Sequence, residues 1–349
     1  VEFMLEILMP AHKLHIAGKA VRLHGCLMAP DFRTQRVLCS DPWDFVSLWL
    51  KRHHQKDALF YWEQAKHFFE ASASLPDLSA PLTSYYCFLN ATKALLASKV
   101  QPFVESHGVG GRSVPGHKSL ANEIVDFQGS GILSALCKYL AEPDNAGKSF
   151  TLRDIFWQMP FIHRSFCLSY HGATELFIPL VSNNFMRKDG SKEAWFQAEV
   201  DRRYINAHTK KAIQPGFELF VEDGHYFIRR KRRFRWSGRD VENSITEFKT
   251  YHKTIRRRVI PIYSSENRWY LKKSVAGHDK LANSQLVLIF AAMHRLSELS
   301  RYDPIALAGH FNVNHNWLLS EFIRMASGQF VYGMASEITG LEFIRPDAF

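Results

Sequence analysis

The sequence predicts an α+β protein: mainly a helical bundle, interrupted by a β-rich, strongly basic insertion. Three observations carry that expectation. Apolar residues recur with a helical period in the first and last parts of the 349-residue chain. Between about 172 and 275 the pattern changes to short runs rich in β-branched and aromatic residues, parted by turn formers. The charge is also uneven. From Arg229 to Lys273 there are fifteen Lys or Arg against four acids, so this one segment carries +11 while the whole chain carries +10. The chain therefore divides into a helical part (1–171), a basic β-rich insertion (172–278) and C-terminal helices (279–349) expected to pack back on the first part.

The elements follow in order. After an irregular N-terminal stretch, "DPWDFVSLWLKRH" opens a helix, with Asp41 as cap and Pro42 at its first position. "DALFYWEQAKHFFEASASL" places apolar residues at 58, 61, 62, 65, 68 and 69, a helical spacing. "LTSYYCFLNATKALLASKV" is expected to start from a Ser79 cap with Pro81 in the first turn. Its Leu82, Tyr85, Leu89 and Leu96 share one face, which predicts an amphipathic core helix with Asn90 and Lys93 on a polar edge. "VESHGVGGRSVPGHKS" (104–119) reads as a loop from its Gly, Ser and Pro content, and "GILSALCKYL" resumes helix.

In the insertion, "ELFIPLV", "AWFQAEV", "FELFVEDGHYFIRRKRRFRW", "RRRVIPIYS" and "RWYLKKSV" read as antiparallel strands, with Asp223-Gly224 at a hairpin turn. From about 279, "LANSQLVLIFAAMHRLSELSRY" predicts a helix buried nearly all round in its first half. Asp303-Pro304 stops it and caps the next helix, and "NWLLSEFIRMASGQFVYGMASEI" closes the chain with one or two more.

Composition excludes several classes. With 46% hydrophobic and 22% charged residues the chain can build a core and is not disordered. Its longest apolar run, "LVLIFAAM" (286–293), is far short of a bilayer span, so no membrane insertion is expected. Glu2 and Glu6 within the apolar start argue against a signal peptide. Five scattered cysteines, odd in number and never spaced CxxC, argue against a disulfide framework or a structural zinc site, and place the chain in a reducing cytoplasm. HExxH, EF-hand, phosphate-loop and GxSxG patterns are all missing, so no metal or cofactor is expected.

The candidate binding residues lie in the basic segment. Arg229, Arg230, Lys231, Arg232, Arg233, Arg235 and Trp236, with Arg256, Arg257 and Arg258, interleave cations with aromatics. Guanidinium forks match phosphate oxygens, and flat rings stack on unpaired bases. On a continuous strand Arg229, Lys231, Arg233 and Arg235 would form a ladder. The partner would be nucleic acid, RNA or DNA, or an acidic protein.

A second anion site is conceivable in the glycine-rich loop, between His107, Arg112 and His117. Arginine followed by histidine after four to six residues is the spacing of metal-independent ribonucleases. Arg112/His117, Arg164/His171, Arg202/His208 and Arg203/His208 fit it, about as many as random placement would give. Of these, Arg164 and His171 are best placed to act as phosphate clamp and general acid or base.

Two stretches together resemble the YaaC-like family. One is "DALFYWEQAKHFFEASASLPDLSAPLTSYYCFLNATKALLASKV…ESHGVGG" (57–111), with its tyrosine-rich helix, Lys-Ala-Leu-Leu step and His-Gly. The other is "LVLIFAAMHRLSELSRYDP" (286–304), with Ser-Glu-Leu-x-Arg-Tyr-Asp-Pro, followed by "WLLSEFIRMASGQF". Ser84, Tyr85, Tyr86, Ala94, Leu95, Leu96 and His107 also resemble a helix of HEPN domains, helical bundles of toxin and defence ribonucleases and of their RNA-binding relatives. That likeness implies a HEPN-like bundle and an association with RNA. The resulting expectation is a cytoplasmic nucleic-acid-binding protein, RNA before DNA, in a defence or stress system. The alternatives are a HEPN-type endoribonuclease, or a scaffold docking an acidic protein.

Overall fold

The structure is a computed structural model that describes residues 11–346 except 214, 267, 276–280 and 314. Glu2 and Glu6, weighed above against a signal peptide, lie outside the described residues.

Short strands come first: β1 (Ala11–Lys13), the pair β2 (His15–Ile16) and β3 (Lys19–Ala20), and β4 (Val37–Leu38). Then α1 (Pro42–Arg52) starts as expected, with the Asp41 carboxylate accepting from the N–H groups of Trp43 and Asp44 at 2.8 and 3.3 Å. After α2 (Lys56–Ala73) comes α3 (Ala80–Ser98). Ser79 precedes α3 but its side chain makes no capping bond. The buried face of α3 is wider than one stripe, taking in Tyr85, Phe88, Ala91, Thr92, Leu95 and Leu96, while Thr83, Tyr86, Asn90, Lys93 and Ala97 keep a partly exposed edge, as the sequence predicts for Asn90 and Lys93. The reason is position, since α3 packs against α2 as well as the two long C-terminal helices.

The expected loop at 104–119 contains a strand. β5 (Val109–Ser113), β6 (Glu123–Phe127) and, beyond α4 (Ile132–Leu140), β7 (Ser149–Thr151) form a three-stranded antiparallel sheet. Glycines at 110 and 111 concealed it. Next come the short helices α5 (Leu152–Trp157) and α6 (His163–Ser169).

The long strand β8 (Phe177–Lys188) opens the main sheet. It is followed by β9 (Glu193–Val200), α7 (Ala207–Ile213), β10 (Phe217–Glu222), β11 (His225–Arg230), β12 (Phe234–Arg235), α8 (Val241–Arg256), β13 (Val259–Ile262) and β14 (Arg268–Lys272). The order is β10-β11-β9-β8-β14-β13, with β1 on β8 and β12 on β9, every pair antiparallel. The expected hairpin turn is present, Asp223 and Gly224 taking φ values of 49° and 79° between β10 and β11.

The chain then returns to helix: α9 (Gln285–Tyr302), α10 (Pro304–Phe311) and α11 (Asn316–Thr339), ending in β15 (Phe343–Ile344) on β4. Asp303 caps α10 through the Ala306 N–H at 2.9 Å, as the sequence predicts, and α9 is buried on all sides from Gln285 to Ser297, beyond the first half expected.

The class is thus α+β, but the expectation of a mainly helical, HEPN-like bundle does not hold. An eight-stranded antiparallel sheet and a second, smaller sheet make up too much of the chain. Two buried cores accompany this layout. One joins α1–α6 to α9–α11 around Phe88, Phe290, Phe322 and Phe330. The other lies between the main sheet and α8, around Phe185, Phe196, Phe217 and Phe248, and takes in Leu14, Ile16, Val21 and Leu23 from the N-terminal strands.

Candidate functional site

The basic segment folds differently from a ladder. β11 ends at Arg230, residues 231–233 turn, and β12 holds only Phe234 and Arg235, so Arg229, Lys231, Arg233 and Arg235 do not line one strand. Much of its charge is consumed inside the protein. Arg229 pairs with Glu218 at 2.7 Å and lies over the rings of Trp195 and Phe220. Arg233 reaches Glu193 at 3.1 Å and Glu218 at 3.0 Å, also over Trp195. Arg230 donates to the Gly216 carbonyl at 2.8 Å above Phe217, and Arg258 donates to the Pro215 carbonyl. Arg256 donates to the carbonyls of Val259 (2.7 Å) and Gly25 (3.1 Å), its guanidinium over Trp269. Trp236 is buried edge-on to Phe248, and so cannot stack on a base.

What remains is a smaller surface. Lys231, Arg232 and Arg235 are exposed, and none makes an ion pair among the described residues. Arg257 is exposed too, donating only to the Ala141 carbonyl at 3.3 Å. Arg232, Arg233 and Arg235 form one wall of a groove of about 370 Å³ whose other wall is α8, with Thr246, Thr250 and Thr254 one turn apart. Glu247 also lines it. The sequence reading missed α8 because its residues were read as part of the charged strip. Yet Ile245, Phe248, His252 and Ile255 carry a helical period behind the Asp240 cap.

The other candidates part company. His107 turns inward at its Nδ1, 2.6 Å from the Tyr85 hydroxyl. Arg112 pairs with Asp126 on the neighbouring strand, and His117 is exposed on the turn beyond β5. These three do not form one anion nest. Arg164 is exposed on α6, His171 is exposed past its end, and no hydrogen bond joins them.

The structure does bring the two resemblance stretches together. Tyr85 of α3 lies edge-on to His294 of α9 with ring centres 4.9 Å apart, and His107 lies 5.2 Å from the same ring. Behind them is a buried knot. Glu123 accepts from Arg295 at 2.7 and 3.1 Å, from Ser113 at 2.9 Å and from His310 at 2.8 Å, and His310 meets His315 at 3.3 Å. Arg295 also reaches Glu298 at 3.0 Å. Only glycine fits at 111, where a Cβ would sit 2.5 Å from both the Arg295 side chain and the Glu298 carboxylate. Burial alone would raise the Glu123 pKa. Hydrogen bonds from His310, Arg295 and Ser113 outweigh it and hold the carboxyl at about 2. Every partner of this carboxylate is thus protein, so the knot is a joint between α9, α10 and β6 and is closed to a ligand. The signal that could have found it is the polar His294-Arg295 pair that interrupts the apolar first half of α9.

One cluster among the described residues has the donor types of a metal site: His163, Cys167 and Glu175, ligand atoms within 4.8 Å of one another. Its donors do not fit. His163 Nε2 already accepts the Leu176 N–H at 2.9 Å, and burial raises the Cys167 thiol, keeping it protonated.

Sheet, knot and groove define an α+β protein with a partly neutralised basic face. The chain matches the family model of YaaC-like proteins over residues 31–338 and belongs to that family. Searches of curated proteins and of solved structures returned no match. Among the described residues, no helix is long and apolar enough to cross a membrane.

Proposed function

We propose that this protein binds nucleic acid, RNA before DNA, through the groove between residues 231–235 and α8. The observation that carries this reading is the split within the basic segment. Arg229, Arg230, Arg233 and Arg256 serve the fold, while Lys231, Arg232 and Arg235 stand exposed without an ion-pair partner among the described residues. Unpaired guanidinium groups beside a groove are what a phosphate backbone recruits, since their counterions are released on binding. Phe234, Trp236, Phe248 and Tyr251, the aromatic residues around the groove, are buried, so recognition would rest on the backbone and be insensitive to sequence. Five free cysteines suit a reducing, cytoplasmic setting.

The test is a mobility shift with single-stranded RNA and DNA over a salt series. The triple variant Lys231→Ala, Arg232→Ala, Arg235→Ala should weaken binding and flatten the log–log salt slope by roughly 2 to 3, near 0.7–0.9 per lost contact. Equal binding by the triple variant, or affinity that ignores salt, would remove the groove from consideration.

A further inference from the structure

A second cavity, sharing no residue with the groove, lies at the N-terminal end of the described chain. It measures about 550 Å³ and is walled by the β3 region, the 31–36 loop and Glu342 beyond α11. That is within the range of small-molecule sites, roughly 300–1,000 Å³, and far beyond what a few ordered waters need.

Its wall includes His24, only 4% exposed. The ring's tautomer follows from its bonding. Nδ1 accepts the Cys26 N–H at 3.0 Å, so it carries no proton, and burial keeps the ring neutral near pH 7. The proton therefore sits on Nε2, and among the described residues no group accepts it. A ligand acceptor reaching that N–H from the cavity would gain a hydrogen bond. Beside His24 stands the Phe32 ring, its centre 5.5 Å from the imidazole and backed by Phe248 and His252. Phe32 is only partly buried and lines the same space.

The mouth is cationic. Lys19 and Arg22 are exposed and form no ion pair among the described residues, and Arg36 pairs with Glu342 at 3.0 Å. Asp31 is the other acid present, one of its carboxylate oxygens already accepting the Arg33 N–H at 3.0 Å. Three cations against two acids leave a net positive rim over an aromatic wall with one free donor. Gln35 adds an exposed amide able to donate and accept.

We propose that this cavity binds a mononucleotide-sized anion, its flat ring against Phe32 within reach of the His24 N–H and its phosphate at Lys19 and Arg22. Calorimetric titration with the four ribonucleoside monophosphates, and separately with inorganic phosphate and the matching nucleosides, tests it. At least one monophosphate should bind saturably, and more tightly than phosphate or its nucleoside alone. Arg22→Ala should weaken it tenfold or more, and adding Lys19→Ala should weaken it further. Neither side chain makes a hydrogen bond or ion pair among the described residues, so loss of binding would not be loss of structure. The His24 imidazole N–H resonance should shift on titration in wild type. The proposal is overturned if no monophosphate binds, if phosphate alone binds as well, or if Arg22→Ala binds like wild type.

Discussion

Glu123 shows what a single buried charge does in this protein. It is 4% exposed and joins β6 to Arg295 on α9 and His310 on α10, so its removal strands two donors at once. Breaking a buried pair by deleting one partner costs about 3–5 kcal/mol. Glu123→Gln should lose about that much stability in urea unfolding. The pH dependence has a definite sign. The folded carboxyl titrates at about 2, below its ordinary 4.5, so its stabilisation is complete above pH 4.5 and is lost as pH falls towards 2. In the Glu123→Gln variant that part of the acid limb should vanish. Nothing in the sequence marks Glu123 out, because its partners lie 172 and 187 residues away.

At the scale of elements, the segment from β11 to α8 separates structural cations from available ones. Arg233 ties the 231–233 turn to Glu193 of β9 and Glu218 of β10 while covering Trp195. Arg232, next to it, is exposed and unpaired. Arg233→Ala should therefore cost about 1–3 kcal/mol in thermal or urea unfolding, and Arg232→Ala should stay within about 0.5 kcal/mol of wild type. Equal effects would show that neighbours in this run do not differ in role. Legibility also varied by element. α1 could be read outright because Asp41-Pro42 is a complete local start signal. β5 could not, since Gly110 and Gly111 are poor strand formers, Gly111 being kept there by the close approach of Arg295 and Glu298. α8 carried a readable apolar period that its charged neighbours masked.

For the whole molecule, histidine burial should set the response to mild acid. His24, His163, His252, His294 and His315 are all buried, and burial above all pushes their pKa values down, to about 3 or 4 where the shift is not extreme. The unfolded chain binds these protons near pH 6.5 and the folded one does not, so stability falls as pH drops from about 6.5 towards 4. Three carboxyls act in the opposite sense: burial pushes Glu142 up to about 7 and also raises Glu298 and Glu337. Five histidines outnumber three carboxyls. Urea unfolding should therefore show lower stability at pH 5 than at pH 7, each unmatched proton contributing roughly 1.4 kcal/mol per pH unit. Stability that is flat or rises on acidification would contradict this balance.

The sequence by itself determined the local matters: where α1, α2, α9 and α10 begin or end, the β10–β11 turn, the position of the basic segment and the family. Each of these depends on neighbours a few residues apart, through capping, periodicity or a turn dipeptide. The tertiary structure decided everything that depends on distant partners. It built a main sheet of eight strands in place of a bundle with an insertion, and it widened the buried face of α3 to include Phe88, Ala91, Thr92 and Leu95. It also spent Arg229, Arg230, Arg233, Arg256 and Arg258 on carboxylates, carbonyls and rings, and set the His24 ring in the wall of a cavity. The physical reason is the same in each case: charge and apolarity are properties of a residue, but pairing and burial are properties of the fold.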